Sequence, residues 1–254
     1  MKETFYERIG EAVCRERLTN GLEVCVVPKP GYAKKYAFFS TRYGGMDTRF
    51  CLDGQWLNTP AGIAHYLEHK MFDTREGNAL QELAMNGAEP NAFTSNAITC
   101  YYFDSTEKFY ENLEILLSFV SVPYFTDESV EKEQGIIGQE IGMIEDNPEW
   151  QVYKQLMQSL YHTSPARTPV AGSVESISHI TAQTLYASDY EYFCPGRTTS
   201  ATIGFNEQYM APTLRPYLGK TAVPFESWDD MHEFMAGKPW LCPAQSDRGP
   251  NTFS

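Results

Sequence analysis

Two histidines lie four positions apart, with a glutamate between them, in the stretch Thr59-Pro-Ala-Gly-Ile-Ala-His-Tyr-Leu-Glu-His-Lys-Met-Phe72. Side chains at i and i+4 stand one above the other on a helix, so His65 and His69 can share one face. Two imidazoles in that arrangement can bind a single metal ion, with Glu68 close enough to act on a water there. The alternative is an ordinary pair of histidines beside a surface glutamate, because the chain contains five histidines.

The start of this helix is predicted from two residues that precede the motif. Thr59 suits the N-cap, and Pro60 suits the first helical position. We therefore expect His65 to lie about a turn and a half into the helix.

A third ligand is needed, because catalytic zinc sites usually combine three protein ligands with a water. The best candidate segment runs from Thr126 to Glu145; Thr126 can cap it, and acidic residues fill its first turn. Glu133 and Glu140 lie seven positions apart on nearly one face, next to three isoleucines. A carboxylate on an apolar face needs a partner, and a metal ion is one. Glu140 is therefore the preferred third ligand.

Glycines at positions 135, 138 and 142 interrupt the same predicted helix. Each costs about 1 kcal/mol relative to alanine in a helix interior. Three of them in one helix predict that another backbone approaches it closely.

Four motifs occur in order along the chain. The first is His65-x-x-Glu68-His69, the inverzincin order. The others are Asn91-Ala-Phe-Thr-Ser95 followed by Thr99-Cys-Tyr-Tyr-Phe-Asp104, the pair Glu133-x6-Glu140, and Pro169-Val-Ala-Gly-Ser-Val-Glu-Ser-Ile177. Together they resemble the M16 (pitrilysin-type) zinc metallopeptidases, which include insulin-degrading enzyme and the mitochondrial processing peptidases. The similarity covers roughly residues 15 to 206.

The resemblance implies a zinc-dependent endopeptidase that acts on peptides or unfolded segments. His65, His69 and Glu140 would be the ligands of Zn²⁺, and Glu68 would be the general base that activates the metal-bound water. Glu133 would not bind the metal itself; its carboxylate would support one of the ligand histidines. Two imidazoles and one carboxylate suit zinc best among the common divalent ions.

A peptide substrate would pair with an edge strand as an added strand, a recognised mode of peptide binding. The residues that the resemblance assigns to this strand are Asn91, Ala92, Phe93 and Thr94.

The position of the third ligand departs slightly from the family pattern. Glu140 follows His69 by 71 positions, a few fewer than is usual, whereas Glu145, at 76, fits the usual count better. The spacing of seven between Glu133 and Glu140 and the length of the stretch from Asn91 to Glu140 favour Glu140. Glu145 is the alternative.

The order of elements predicts an α+β fold, with a mixed or antiparallel sheet and helices packed on one face, as in the family's half-domain. Residues 1–220 are predicted to form this domain, and residues 221–254 a short helix and a poorly ordered tail. Between the first strands and the metal helix, residues 49–58 are predicted to be a loop.

The composition of the chain indicates which binding partners and which cellular compartment to expect. The net charge of −13 argues against nucleic acid and anionic membrane surfaces as partners. No stretch approaches the length of about 18 apolar residues needed for a membrane span. Six cysteines without C-x-x-C spacing predict reduced thiols in the cytoplasm.

Members of the family generally contain two homologous halves that enclose a chamber, and 254 residues leave room for one. The resemblance therefore predicts a homodimer or a partnership with a second M16-like half. The alternative function is a partner-dependent or non-catalytic half that binds peptides by strand addition.

Overall fold

The computed structural model describes residues 2–18, 22–52, 55–192 and 200–204. The strands of its main sheet are β1 (Lys2–Tyr6), β2 (Glu11–Arg17), β3 (Glu23–Val26), β4 (Lys35–Thr41), β7 (Glu89–Thr94), β8 (Thr99–Ser105) and β9 (Ser200–Gly204). Their spatial order is β1-β2-β3-β9-β4-β8-β7. Neighbouring strands are antiparallel except β3 and β9, which are parallel. A separate hairpin consists of β5 (Arg49–Leu52) and β6 (Gln55–Asn58).

The described helices are α1 (Ile63–Met71), α2 (Ala79–Met85), α3 (Phe109–Phe119), α4 (Asp127–Glu145), α5 (Pro148–Leu160), α6 (Val174–Ile177) and α7 (Ala182–Tyr192). Helices α1 and α2 pack against β7, and α3 packs against β4 and β8. Strand β4 shows the resulting alternation, because Ala37 and Phe39 are buried and Tyr36 is exposed. The predicted α+β fold is confirmed.

Helix α4 begins and ends where the sequence predicted. The hydroxyl of Thr126 accepts a hydrogen bond from the Ser129 backbone N–H, and the Ser129 hydroxyl accepts one from the Thr126 N–H, which closes a capping box. Ile137 and Ile141 are buried, so this face of the helix meets the core as expected.

The close backbone approach predicted from the three glycines of α4 is wrong for the residues that the structure describes. A Cβ atom added at Gly135, Gly138 or Gly142 would meet no described atom within 4 Å beyond its chain neighbours and the helix's own nearby backbone. The close approaches occur instead at the start of α1.

Helix α1 begins at Ile63, so the predicted start at Thr59 and Pro60 is wrong. Gly62 is the N-cap, with φ of 94°, and a Cβ there would lie 2.5 Å from the carbonyl oxygen of Ala171. On the other side, a Cβ at Gly172 would lie 2.5 Å from the carbonyl oxygen of Ala61. The chain turns where these two backbones meet, and only glycine tolerates both the turn and the contact. His65 is therefore the third residue of the helix.

Residues 49–52 and 55–58 form two paired strands rather than the predicted loop. Arg49 pairs with Asn58 and Phe50 with Leu57 in the β5–β6 register. Phe50 is buried, and the guanidinium of Arg49 lies 4.8 Å from the ring centroid of Trp56. Strands of four residues show little periodicity of their own, because cross-strand pairing stabilises them.

The predicted boundary at residue 220 and the predicted helix and tail at 221–254 lie outside the described residues. Across the ranges that the structure describes, no helix is both long and apolar enough to cross a membrane.

Asp189, in α7, carries a carboxyl group that the fold buries. The residue is 7% exposed, and its Oδ1 atom has no hydrogen-bond partner among the described residues. Burial disfavours the charged form and raises the pKa of Asp189 to about 8.

We expect Asp189→Asn to stabilise the protein increasingly as the pH rises. The folded wild type keeps the Asp189 proton to about pH 8, whereas the unfolded chain loses it near pH 4. Between these values the unfolded state binds fewer protons, so the free energy of unfolding of the wild type falls with rising pH. The asparagine variant avoids this loss, which is on the order of several kcal/mol. Thermal unfolding of both proteins at about pH 5 and pH 8 measures it. A difference in Tm that does not grow with pH would contradict the expectation.

Candidate metal centre

The predicted ligands come together where α1 crosses α4. The Nε2 atom of His65 lies 3.5 Å from Oε1 of Glu140, and Nε2 of His69 lies 3.5 Å from Oε2 of the same carboxylate. One donor atom from each of the three residues lies within 4.8 Å of the other two. Glu140 thus faces both imidazoles from the opposite helix.

These distances fit a zinc ion. Ligands bound at 2.0–2.1 Å in tetrahedral geometry are separated by roughly 3.4 Å. Each imidazole nitrogen lies 3.5 Å from a different oxygen of Glu140, and with one donor atom taken from each residue all three lie within 4.8 Å of one another. Three protein donors also leave a fourth position open, as catalytic zinc requires. The donor set and its spacing therefore suit Zn²⁺.

Glu133 contacts a predicted ligand, His69, rather than the other two ligands. Its Oε1 is 3.0 Å from Nδ1 of His69. With the proton on Nδ1, the histidine donates to Glu133 and keeps the lone pair of Nε2 for a metal. The hydrogen bond from His69 holds the pKa of Glu133 below its usual range.

Neighbouring histidines keep Glu140 ionised. The hydrogen bond from His65 and the charge of the two imidazoles lower the pKa of Glu140, so it is a carboxylate, the form that binds metal. Burial lowers the pKa of His69, but the hydrogen bond to Glu133 and the charge of Glu68 outweigh burial and raise it. A proton therefore competes with metal for His69 at low pH.

Glu68 lies on α1 between the two histidines and is 8% exposed. Its Oε2 accepts a hydrogen bond of 2.6 Å from the hydroxyl of Thr94. The predicted base is thus held from the side of strand β7, where α1 packs on the sheet.

The segment predicted to bind substrate forms β7, the last strand of the sheet. Its members alternate: Asn91 and Phe93 are exposed, and Ala92 and Thr94 are half-buried. Among the described strands, β7 pairs with β8 alone. Its other edge has backbone groups in position to pair with an added chain, and one of them, the N–H of Ala92, donates to Oδ1 of Asn91 at 2.8 Å.

The alternative ligand Glu145 does not join this cluster. It lies at the end of α4, where its carboxylate is 3.2 Å from Nζ of Lys154 and its side chain is 51% exposed. The structure brings Glu140, not Glu145, to the histidines, so Glu140 stays the predicted ligand.

Tyr66 and Lys70 hold α1 against α4, and neither was predicted from the sequence to do so. The hydroxyl of Tyr66 donates to the carbonyl oxygen of Val130, and Nζ of Lys70 donates to that of Ser129 at 3.2 Å. Lys70 also pairs with Asp73 and is 1% exposed. These contacts set the register in which Glu133 and Glu140 meet the histidines. A lysine inside an apolar run was the signal that could have revealed one of them.

Comparison with known proteins identifies the family. Residues 58–174 match the model of the insulinase family, peptidase family M16. A relative from Bacillus subtilis (strain 168), named uncharacterized zinc protease YmfH, is 45% identical over 206 residues. The chain belongs to peptidase family M16. The resemblance inferred from the four motifs is therefore confirmed.

Solved structures of M16 proteins share the fold. An M16-like protein from Alicyclobacillus acidocaldarius is 38% identical, with a TM-score of 0.75, over 83% of this chain and 50% of that one. A peptidase M16 inactive domain from Pseudomonas fluorescens, at 18% identity, aligns with a TM-score of 0.71 over 95% of this chain and 52% of that one, and shows the fold alone.

The chain spans about half the length of the M16 relatives that it matches. It covers 48% of YmfH, and the alignment takes in 80% of this chain. It corresponds to an N-terminal portion of them.

Proposed function

We propose that this M16 domain is a zinc-dependent endopeptidase that hydrolyses peptides or unfolded segments. One observation carries the proposal: the donor atoms of His65, His69 and Glu140 lie within 4.8 Å of one another, and Glu68 lies on the same helix as the histidines. The relative YmfH, which is named a zinc protease, supports the metal and the reaction class.

His65, His69 and Glu140 would hold the ion. When bound, Zn²⁺ lowers the pKa of a coordinated water toward about 7 and polarises a carbonyl oxygen. Glu133 would keep the proton of His69 on Nδ1, so that Nε2 stays free to act as a ligand.

Glu68 would move the protons of the reaction. Its carboxylate would accept a proton from the attacking water and then deliver it to the nitrogen of the leaving amine. Since Oε2 is occupied by the hydroxyl of Thr94, Oε1 is the atom that would carry this proton.

The peptide would add as a further strand along β7. The edge from Asn91 to Thr94 would offer backbone donors and acceptors, which bind an extended chain with little regard to its sequence. The N–H of Ala92 would exchange its present acceptor, Oδ1 of Asn91, for a carbonyl oxygen of the peptide. Because α1 packs on β7, a chain bound there would pass close to Glu68. This placement favours extended, unfolded substrates over folded ones.

The test is metal-dependent cleavage of an internal peptide bond. We expect the zinc-loaded chain to cleave unstructured peptides, a chelator to abolish cleavage, and added Zn²⁺ to restore it. Mass spectrometry of the products separates endopeptidase from exopeptidase action. Cleavage that persists after complete removal of metal would exclude the proposed mechanism.

The second candidate is a half that binds peptides and needs a partner for turnover. It is favoured by the length of the chain, which covers 48% of YmfH. The partner would be a second copy of this chain or another M16-like half. If this candidate is right, the isolated chain binds Zn²⁺ and peptide but cleaves only after a partner is added. Cleavage by the monomeric chain at an ordinary rate for a metallopeptidase would exclude it.

A further inference from the structure

We propose that Thr94 is a positioning residue whose hydroxyl holds the carboxylate of Glu68 in the orientation for proton transfer. The inference rests on the proposed function, because it assigns a role within the same reaction. It concerns the side chain of Thr94, and so it is separate from the backbone pairing predicted for β7.

The pleat of β7 directs Thr94 towards α1. Along the strand, Asn91 and Phe93 are exposed, whereas Ala92 and Thr94 lie on the half-buried face. Helix α1 packs against this strand. The Thr94 hydroxyl thereby reaches Oε2 of Glu68 at 2.6 Å, the length of a strong hydrogen bond to an ionised acceptor.

The hydroxyl of Thr94 donates its hydrogen bond to Glu68 rather than to a neighbouring side chain. Thr99 lies directly opposite Thr94 in the β7–β8 register, with the two hydroxyl oxygens 3.4 Å apart. The one hydroxyl proton of Thr99 is donated to the carbonyl oxygen of Tyr43 at 2.8 Å. Glu68 is then the close acceptor left for the proton of Thr94. A β-branched side chain is also stiff at χ1, so the donor itself is well placed.

Holding Oε2 has a chemical consequence. A glutamate rotates about three side-chain bonds, and ordering it costs conformational entropy. The hydrogen bond from Thr94 selects one rotamer before the substrate arrives and leaves Oε1 of Glu68 for the proton. The backbone of Thr94 also belongs to the edge where a peptide would pair. Thr94 would therefore contact the peptide through its backbone and Glu68 through its side chain, which fixes the position of the peptide relative to the general base.

The test compares Thr94→Val, which removes the hydroxyl and keeps the shape, with Thr94→Ser, which keeps the hydroxyl. We expect Thr94→Val to lower kcat about 10- to 100-fold, with KM within about threefold of wild type. Bound zinc should be unchanged, and Thr94→Ser should recover most of kcat. An unchanged kcat in Thr94→Val, a loss confined to KM, or a serine variant no better than the valine variant would each overturn the proposal.

A second readout does not depend on activity. In a double-mutant cycle with Thr94→Val and Glu68→Ala, the shifts of the urea unfolding midpoint should be non-additive, because both changes remove the same hydrogen bond. Additive shifts would overturn the contact. A wild type that cleaves no peptide overturns the proposed function instead, and the cycle still judges the hydrogen bond.

Discussion

Glu68→Gln is expected to lower the rate of peptide cleavage about 10²- to 10⁴-fold, the usual contribution of a general base. An amide has nearly the shape of the carboxylate, but it cannot take up a proton from water. It can still accept the hydrogen bond from Thr94, so α1 and β7 should keep their packing. His65 and His69 are untouched, and bound zinc should stay at the wild-type level.

The measurement is kcat/KM with a fluorogenic peptide, together with zinc content after dialysis. Glu131→Gln, an exposed change on α4, is the matched control and should cleave like wild type. Equal cleavage by wild type and Glu68→Gln would remove Glu68 from the reaction. A loss of zinc in Glu68→Gln would show that the change damages the site as a whole.

Zinc affinity should fall in a fixed order among three glutamates of α4. Glu140→Gln removes a ligand, and we expect a loss of more than about 100-fold. Glu133→Gln removes a group that orients His69, and the expected loss is about 10- to 100-fold. Glu145 lies beside Lys154 at the end of the helix. The zinc affinity of Glu145→Gln should therefore equal that of the wild type.

A competition titration against a zinc chelator of known affinity measures this order. His65→Ala extends the series and should also lose zinc, whereas His162→Ala, an exposed change outside the cluster, should not. Full zinc stoichiometry in His65→Ala would remove its assignment as a ligand. A larger loss in Glu145→Gln than in Glu140→Gln would make Glu145 the third ligand.

Local signals explain which elements could be predicted. The bounds of α4 follow from a capping threonine, an acidic first turn and a regular apolar face, all contained in one segment. The start of α1 could not be predicted in this way. Its N-cap is Gly62 rather than Thr59, because the backbone of Ala171 occupies the space beside it. That neighbour lies 109 positions away in the chain.

In the metal site, too, some features follow from local sequence and others only from tertiary packing. The pairing of His65 with His69, and of Glu133 with Glu140, follows from helical spacing alone. The choice between Glu140 and Glu145 does not, because both lie on α4 and only the packing of α1 against it brings one of them to the histidines.

The sequence by itself determined the chemical groups of this protein: two imidazoles and a glutamate on one helix, a carboxylate pair on another, and an α+β order of elements. These are properties of neighbours in the chain, which repeat with the period of a helix or a strand. The tertiary structure decided which groups meet. Tyr66 and Lys70 fix α4 against α1, and Thr94 reaches Glu68 from β7. Such contacts join residues 26 to 64 positions apart, where no local pattern specifies the distance.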